Sequence, residues 1–472
     1  MLISGGRLAD RDVDLLIEDG LISKIGSIGR GDVELDGRWL LPGLWDEHVH
    51  FTQWASARGR LDVSGATSAA DAARLVHDVA ASVSPAGLLV GGGFRDGLWP
   101  DVPTAELLDA ASPVGAVVLL SADLHSAWLN TAATRRLGLP ADWAGLVREA
   151  AAFDVATRVA SADETTVDAW VDAAARAAAA RGVVGIAELE MTWNVDPWRR
   201  RLDHGLDALR VHAAVYPDDL DRAIELGLRT GDELQPLLTV GGLKVLTDGS
   251  LGTRTAATVD PYAGGDTGLL TVPPEVLVPL LSRASGAGIV PWVHAIGDRA
   301  NTLALDAFEQ IGVGGRIEHA QLLSTSDLPR FAALGVIASV QPEHAVDDRD
   351  LADAVWADRS ERMYAFRSLL DAGAELRFGS DAPVAELDPW VAMAAAVTRT
   401  RDGREPWHAE QRITPEEALA ASTRSAVVVG EPADLVAVEA DPFHPEGLHL
   451  RGMPVALTML AGRITHGHEL VR

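Results

Sequence analysis

Short apolar runs alternate with amphipathic stretches through the middle of the chain, and this pattern predicts strands separated by helices. Apolar runs of this length, bounded by turn residues and followed by helical periodicity, are typical of a parallel sheet covered by helices. Eight runs fit buried strands, and eight is the number that closes a (β/α)8 barrel. They span residues 44–51, 183–189, 209–216, 238–247, 288–294, 315–321, 335–341 and 375–381.

The two ends of the chain have a different pattern, with short alternating strands joined by turns. Residues 1–44 and 425–472 are therefore predicted to form one small β-sandwich domain beside a barrel domain at 45–424. Residues 52–164 separate the first two barrel strands and are predicted to form a long insertion, in which the apolar runs at 87–94 and 114–123 indicate two strands. Because insertions after barrel strands build the rim of the active site, this segment is expected to help bind substrate.

Composition narrows the class of protein. The 472 residues exceed the roughly 250 of a plain barrel and leave room for additions. No apolar run approaches the roughly 20 residues needed to cross a bilayer, and the first residues do not resemble a signal peptide, so a cytoplasmic location without membrane partners is expected. Cysteine is absent, which excludes disulfides and thiolate ligands. A net charge of −28 disfavours nucleic-acid binding, and a homo-oligomer remains open.

Potential metal ligands follow several of the predicted strands. His48 and His50 are two residues apart on the first strand and so share a face, while His294, His319 and Asp381 each lie at the end of an apolar run. The carboxyl ends of barrel strands meet at one rim, where active sites form. Imidazole and carboxylate groups bind divalent transition ions. The sequence therefore predicts one or two divalent ions, with zinc preferred and iron, manganese or cobalt as alternatives.

Lys244 lies within the fourth predicted strand and needs a chemical explanation. Only Lys24 and Lys244 are lysines among the 40 basic residues, so a lysine inside an apolar strand is unusual for this chain. An ammonium group would repel a neighbouring metal ion. A neutral amine can instead react with carbon dioxide to give a carbamate, an anionic ligand able to bridge two ions. The alternative is a lysine that pairs with an acid or extends to solvent.

Several segments resemble the amidohydrolase superfamily. LPGLWDEHVHF is similar to its PGxxDxHxH opening, and longer segments resemble the amidohydrolase-3, YtcJ-like branch, which includes N-substituted formamide deformylases. These are GGLKVLTDGSLGTRTAAT, VHAIGDRAN, RIEHAQLLSTSDLPRFAALGVIASVQPEH and FGSDAPVAELDPWVAMAAAVTR. The resemblance implies metal ligands on strands 1, 4, 5, 6 and 8, which agrees with the strand positions of His48, His50, Lys244, His294, His319 and Asp381.

The implied reaction is hydrolysis of a carbon–nitrogen bond in a small linear amide or N-substituted formamide. Asp381 would accept a proton from water and later pass it to the leaving nitrogen. Whether Glu188 or Glu190, at the end of strand 2, faces the site stays open. The residues expected to contact substrate are His125, Asp248, Arg254, Gln341 and His344.

Two alternatives stay open at this stage. One is a cyclic amidohydrolase or a mononuclear aminohydrolase, although deaminases of the superfamily carry a glutamate after strand 5 where this chain has His294-Ala-Ile-Gly-Asp298. The other is a barrel that binds ligands without turnover, although such proteins lose metal ligands and this chain keeps six. Activity against a panel of amides would separate these alternatives.

Overall fold

The computed structural model describes residues 1–58, 60–80, 88–113, 115–159, 164–263 and 265–471. Eight parallel strands form a near-closed barrel at its centre, which confirms the predicted fold class. Each strand overlaps the apolar run that predicted it. In chain order the barrel strands are Leu44–Val49, Val183–Glu188, Arg210–Val215, Leu238–Leu246, Pro291–Ala295, Gly315–His319, Val336–Val340 and Leu376–Phe378.

The barrel closes where strand 8 meets strand 1. The backbone N–H of Asp381 donates to the carbonyl of His48 at 2.7 Å, and that of His50 donates to the carbonyl of Ala382 at 2.9 Å. A side-chain carbon at Gly379 would lie 2.5 Å from the backbone nitrogen of His48, so this approach requires glycine. Closure therefore sets three of the predicted metal ligands beside one another.

Helices surround the barrel and bury one face against it. The helix Asp298–Ile311, for example, buries Ala300, Ala304, Leu305 and Phe308 at helical spacing, and these side chains join the main apolar core. Among the described helices, none is both long and apolar enough to cross a membrane. The other helices after strand 1 and around the barrel are Phe51–Ala57, Glu164–Ala179, Val195–Asp203, Leu220–Glu225, Pro274–Gly286, Leu328–Leu334, Pro342–Asp347, Arg349–Val355, Phe366–Asp371, Pro389–Thr398 and Pro415–Ala421.

The two ends of the chain form one sheet. Trp39–Pro42 pairs antiparallel with Leu435–Val438, which joins the N-terminal strands to the C-terminal strands. Alternate residues of these strands, such as Ile3, Leu15 and Leu457, are buried in a separate apolar cluster. The remaining strands of this sheet are Leu2–Leu8, Arg11–Glu18, Leu21–Gly26, Val33–Glu34, Val455–Leu460 and Arg463–His466.

The segment between barrel strands 1 and 2 has a sheet of its own. Of the predicted insertion 52–164, residues 59, 81–87, 114 and 160–163 lie outside the described residues. The rest contains a five-stranded sheet and four helices, with two apolar clusters around it. The strands are Leu61–Asp62, Leu88–Phe94, Ala116–Ser121, Ser126–Leu129 and Gly145–Arg148, and the helices are Ala69–Ala80, Ala105–Ala111, Thr131–Arg136 and Ala150–Val159.

Candidate metal centre and active-site cavity

A cavity of about 450 Å³ opens at the carboxyl ends of the barrel strands. Its floor is formed by barrel residues and one wall by the insertion, including Phe94, His125 and Phe153. Five of the six predicted metal ligands are buried, and His50 is partly buried. All six line this cavity, namely His48, His50, Lys244, His294, His319 and Asp381.

Strands 1 and 8 bring two imidazoles and a carboxylate together. The Asp381 Oδ1 atom lies 3.3 Å from Nε2 of His48 and 3.4 Å from Nε2 of His50. His50 directly follows strand 1, at the start of the helix Phe51–Ala57. Possible ligand atoms of these three side chains all lie within 4.8 Å of one another, which suits a divalent ion.

A second group of imidazoles lies on strands 5 and 6 and on the helix that follows strand 7. The ring centres of His294 and His319 are 4.5 Å apart, and those of His319 and His48 are 4.8 Å apart. His344, at the start of the helix after strand 7, forms another compact donor group with His319 and Asp381. Burial lowers the pKa of both His294 and His319, so these rings are neutral, the form that binds metal.

Unpartnered nitrogens test whether these side chains fit a metal. The buried atoms Nδ1 of His50, Nε2 of His294, Nδ1 of His319 and Nε2 of His344 have no hydrogen-bond partner among the described residues. Buried polar atoms without partners are costly unless a ligand satisfies them. The four residues that carry these nitrogens all line the cavity, which fits a bound metal ion, and the Nε2 atom of His294 also lies 3.3 Å from Oδ1 of Asp248.

The backbone supports the same interpretation. His319 and Asp381 have φ angles of 73° and 58°, in the left-handed region that non-glycine residues seldom adopt. Such conformations cost on the order of 1–3 kcal/mol each and cluster at functional sites. In both cases the unusual angle occurs where the strand ends and the side chain faces the cavity.

Lys244 lies on strand 4 with its side chain in the cavity and only 2% of its surface exposed. Burial lowers the pKa of its amine to about 8, and the carboxylates of Glu318 and Asp381 oppose that shift. A minor neutral fraction of the amine therefore exists near neutral pH, far larger than for a lysine with an ordinary pKa. The neutral amine is the form that carboxylation requires.

Buried acids behind the ligands hold them in place. Glu318 accepts a hydrogen bond from Nδ1 of His48 at 2.7 Å, which leaves Nε2 of that ring for a metal. Asp46 accepts from the backbone N–H groups of His48 at 3.1 Å and Ser380 at 3.0 Å. Asp46 thus ties strand 1 to the end of strand 8.

A charged cluster lies deeper in the barrel. Glu47 pairs with Arg316 at 3.2 Å and with the guanidinium of Arg424, and its side chain is 1% exposed. Burial would raise the pKa of Glu47, but the two arginines outweigh burial and lower it to about 2. The cluster joins strand 1, strand 6 and the segment that leads into the C-terminal strands.

The five predicted substrate residues occupy different positions. His125 and His344 line the cavity. Asp248 is buried and accepts from the backbone N–H groups of Ile296, Gly297 and Ala257 at 2.9–3.1 Å. Gln341 lies 3.3 Å from Nδ1 of His48. Among the described lining residues, Asp248, Arg254 and Gln341 are absent, and Arg254 is exposed, so their contact with substrate stays a prediction.

Glu188 and Glu190 face different environments. Glu190 lines the cavity and accepts hydrogen bonds from the backbone and side chain of Gln53, at 3.0 and 2.6 Å. Glu188 is fully buried and accepts from the indole of Trp198 at 3.1 Å. Burial raises the pKa of Glu188 to about 7. Of the two, Glu190 is the one available to substrate.

Sequence reasoning missed several of these residues. Asp46 lies within the quoted PGxxDxHxH segment, and Glu318 directly precedes His319 in a run of buried residues. A charged residue inside an apolar strand was the available signal for Glu318. Glu149, which contacts His125, carried no comparable signal because it follows Arg148 just after a short strand and is not enclosed in a buried run.

Comparison with known proteins agrees with this site. The profile of the amidohydrolase family matches residues 33–466. The chain is 30% identical to Protein LONG AFTER FAR-RED 3 of Arabidopsis thaliana, covering 90% of this chain and 82% of the relative. It is 25% identical to the putative amidohydrolase YtcJ of Bacillus subtilis, covering 97% and 96%. It is 23% identical to an N-substituted formamide deformylase of Arthrobacter pascens, covering 98% and 94%.

Two solved structures of metal-dependent hydrolases share this fold. An uncharacterized metal-dependent hydrolase of Pyrococcus horikoshii aligns with a TM-score of 0.78 at 26% identity, covering 95% of this chain and 99% of the other. A second, from Pyrococcus furiosus, aligns with a TM-score of 0.76 at 25% identity, covering 94% and 99%. The chain belongs to the amidohydrolase family and is a metal-dependent hydrolase.

Proposed function

We propose that the chain hydrolyses the carbon–nitrogen bond of a small linear amide or N-substituted formamide, releasing a carboxylate and an amine. The convergence of His48, His50 and Asp381 at the floor of the cavity carries this proposal, with Oδ1 of Asp381 within 3.4 Å of both imidazoles. The similarity to an N-substituted formamide deformylase supports the substrate class.

His48, His50, Lys244, His294, His319 and Asp381 would hold one or two divalent ions, with zinc preferred over iron, manganese or cobalt. Lys244 would take part as a carbamate formed with carbon dioxide. When bound, a divalent ion lowers the pKa of a coordinated water towards ~7, which supplies a nucleophile at neutral pH, and it polarises the substrate carbonyl.

The protein residues move the protons and orient the substrate. Asp381 accepts the proton that the attacking water loses, and this proton leaves with the amine product. Glu318 fixes the ring of His48 through the 2.7 Å hydrogen bond to Nδ1. His125 and His344 line the cavity and contact substrate. The apolar side chains of Phe94 and Phe153 on the insertion limit the access of bulk water.

A deaminase fits the site less well. The acid that follows strand 5, Asp298, pairs with Arg362 at 3.1 Å and accepts from the backbone N–H of Val259 at 2.9 Å. It is 2% exposed and is not among the described residues that line the cavity. It is therefore poorly placed to protonate a ring nitrogen.

Metal analysis and a substrate panel test the proposal together. We expect one to two equivalents of a divalent transition ion per chain. We also expect turnover of N-benzylformamide or N-acetylbenzylamine by the loaded enzyme. A dipeptide, a hydantoin and cytosine test peptidase, cyclic amidohydrolase and deaminase activity. Active enzyme without metal, or loaded enzyme that cleaves only these three compounds, would contradict the proposal.

We also propose a binding partner and a cell compartment for the chain. The partner is a small-molecule amide, without nucleic acid or membrane, and the compartment is the cytoplasm. The net charge of −28 supports the exclusion of nucleic acid because phosphate backbones carry the same sign. Fractionation of the native host cell and sedimentation of the purified chain would test the compartment and a homo-oligomer.

A further inference from the structure

His125 and Glu149 form a partly buried pair on the wall of the cavity that the insertion supplies. Nδ1 of His125 lies 2.9 Å from Oε2 of Glu149, and the two side chains are 12% and 25% exposed. The backbone N–H of Glu149 also donates to the carbonyl of His125 at 2.8 Å. The side-chain contact fixes the imidazole ring and its tautomer, and the backbone contact holds the two residues side by side.

The barrel holds the other oxygen of Glu149. Oε1 accepts hydrogen bonds from the hydroxyls of Thr253 and Thr255, each at 2.7 Å. Both threonines lie on the loop that follows strand 4, the strand that carries Lys244. The pair is therefore anchored to the same barrel strand as a predicted metal ligand.

The backbone around the pair is held in an unusual conformation. Leu124, which precedes His125, has a φ of 61°, and Glu149 has a φ of 53°. Neither is a glycine, and each such angle costs on the order of 1–3 kcal/mol. The surrounding fold holds Leu124 and Glu149 in these conformations, and the imidazole of His125 between them lines the cavity.

Charged groups from three elements act on His125. Burial alone would lower the pKa of His125, but Glu149, Asp123 and Asp381 together raise it above its ordinary value. The charge of His125 in turn helps to lower the pKa of His294. Burial would raise the pKa of Glu149, and the contact with His125 outweighs that effect and lowers it to about 2. Both directions favour an imidazolium beside a carboxylate, and the contact at Nδ1 leaves Nε2 of His125 for substrate.

Amide cleavage needs a proton donor at nitrogen, since an amide anion is a very poor leaving group. Several other polar groups in the cavity are engaged. The hydroxyl of Tyr216 donates to the carbonyl of Leu189 at 2.6 Å. Glu190 accepts from Gln53, and Lys244 and His344 lie with the metal ligands. Asp381 holds the proton from water and is the competing donor, and a near-normal kcat of His125→Ala on N-benzylformamide would assign the donation to Asp381.

We propose that His125 donates the proton that releases the amine, and that Glu149 is the residue that positions it. This inference rests on the proposed amide hydrolysis. It assigns a catalytic role to the insertion rather than to the barrel, and it distinguishes donation to the leaving nitrogen from donation to the carbonyl oxygen.

The protons balance over one turnover. Water adds to the carbonyl carbon and gives one proton to Asp381. His125 gives its Nε2 proton to the nitrogen, the carbon–nitrogen bond breaks, and the products are a carboxylic acid and a neutral amine. The acid then ionises. Its proton restores the imidazolium of His125, and the proton on Asp381 converts the amine to an ammonium ion.

A leaving-group series tests the atom that receives the proton. The probes are N-benzylformamide, 4-methoxyformanilide, 4-nitroformanilide and the ester 4-nitrophenyl formate. For His125→Ala we expect a fall in kcat of ~10²–10⁴-fold on N-benzylformamide, the range of general acid catalysis. The loss should shrink as the leaving group improves and nearly vanish for the ester, which leaves without protonation.

A variant of the positioning residue gives a second readout. Glu149→Gln keeps an oxygen for the threonine hydroxyls but removes the charge. Long-range ¹H–¹⁵N NMR, with the His125 signal assigned by its loss in His125→Ala, should show the imidazole titrating at a lower pH in Glu149→Gln than in wild type. Asp154→Asn is the matched control, because Asp154 lies on the next helix and pairs with Arg158 on the surface, 40% exposed.

The outcomes separate this inference from the proposed function. An equal loss across the whole series would assign His125 to the carbonyl oxygen and overturn the inference alone. An unchanged His125 titration in folded Glu149→Gln would remove Glu149 from its role. Wild-type enzyme that cleaves no amide in the series would overturn the proposed function and this inference with it.

Discussion

The ring of His48 is held from both of its nitrogens. Glu318 accepts from Nδ1, and Nε2 faces Asp381 at 3.3 Å. A carboxylate behind a metal-binding imidazole fixes its tautomer and raises its basicity, and loss of such a carboxylate lowers metal affinity by ~10–100-fold. The hydrogen bond therefore acts on the metal through His48 rather than by direct contact.

Asp381 offers a direct test of proton transfer. Asp381→Asn keeps the size of the side chain but removes its basicity, so turnover of the best amide in the panel should fall by at least ~10²-fold. Circular dichroism and the unfolding midpoint should stay close to wild type. Near-normal turnover by the metal-loaded variant would exclude Asp381 as the proton acceptor.

Lys244 tests the carbamate. If Lys244 is carboxylated, Lys244→Ala should lose bound metal and turnover, and a short carboxylic acid added with metal should restore part of both. A free carboxylate can occupy the space that the carbamate leaves. Lys244→Arg is the control, because it fills the space and cannot be carboxylated, so added acid should not rescue it. A Lys244→Ala variant that keeps its metal would exclude the bridging carbamate.

Sequence patterns predicted the residues that end apolar strands and missed those that support them. His294, His319 and Asp381 stand out because a polar side chain ends each run. Glu318 supports His48 from strand 6, 270 positions along the chain, and no local pattern joins the two. Glu149 meets His125 because the strands Ser126–Leu129 and Gly145–Arg148 pair antiparallel within the insertion. Partners of this kind depend on tertiary contacts.

At the scale of elements, the eight barrel strands could be predicted as continuous apolar runs because they are buried on both faces. In the insertion, the runs at 87–94 and 114–123 indicated two strands, while the described residues form five. The additional strands are short, such as Leu61–Asp62 and Gly145–Arg148. Strands of two to four residues form when a neighbouring edge offers hydrogen bonds, and their own sequence carries little alternation.

The buried cluster of Glu47, Arg316 and Arg424 gives an element-scale prediction. Glu47→Gln leaves Arg424 without its charged partner and Arg316 with Glu318 alone, so it should lower the free energy of unfolding by about 3 kcal/mol at pH 7, the low end for breaking a buried ion pair. The folded pKa of Glu47, about 2, is below its ordinary value of 4.5. Its contribution is therefore complete above pH 4.5 and is lost as the pH falls towards 2.

Urea unfolding of wild type and Glu47→Gln at pH 7 and pH 3 measures this effect, because other titrating groups cancel in the difference between the two proteins. The difference should be smaller at pH 3. Glu439→Gln is the control, since Glu439 pairs with Arg38 at the surface and is 45% exposed. An equal difference at both pH values would show that the ion cluster does not stabilise the barrel.

At the scale of the whole molecule, the site is assembled from distant parts of the chain. The predicted ligands run from His48 to Asp381, and closure of strand 8 on strand 1 brings the two ends of that span together through the hydrogen bond from Asp381 to His48. An unfolded chain cannot present this donor set. Metal should therefore bind the folded chain far better than the unfolded one, and binding should stabilise the fold.

Removal and return of metal provide the corresponding test. Metal at 100 times its Kd should stabilise the folded chain by about 2.7 kcal/mol, and at 1,000 times by about 4.1 kcal/mol. Chelated protein should therefore unfold at a lower temperature, and added zinc, manganese or cobalt should raise the midpoint in a concentration-dependent way. His50→Asn should show a smaller rise, while His466→Asn, on the last strand of the terminal sheet, should respond like wild type. A midpoint that metal does not change in wild type would show that the donor set is not formed by folding, because a preorganised site must couple metal binding to stability.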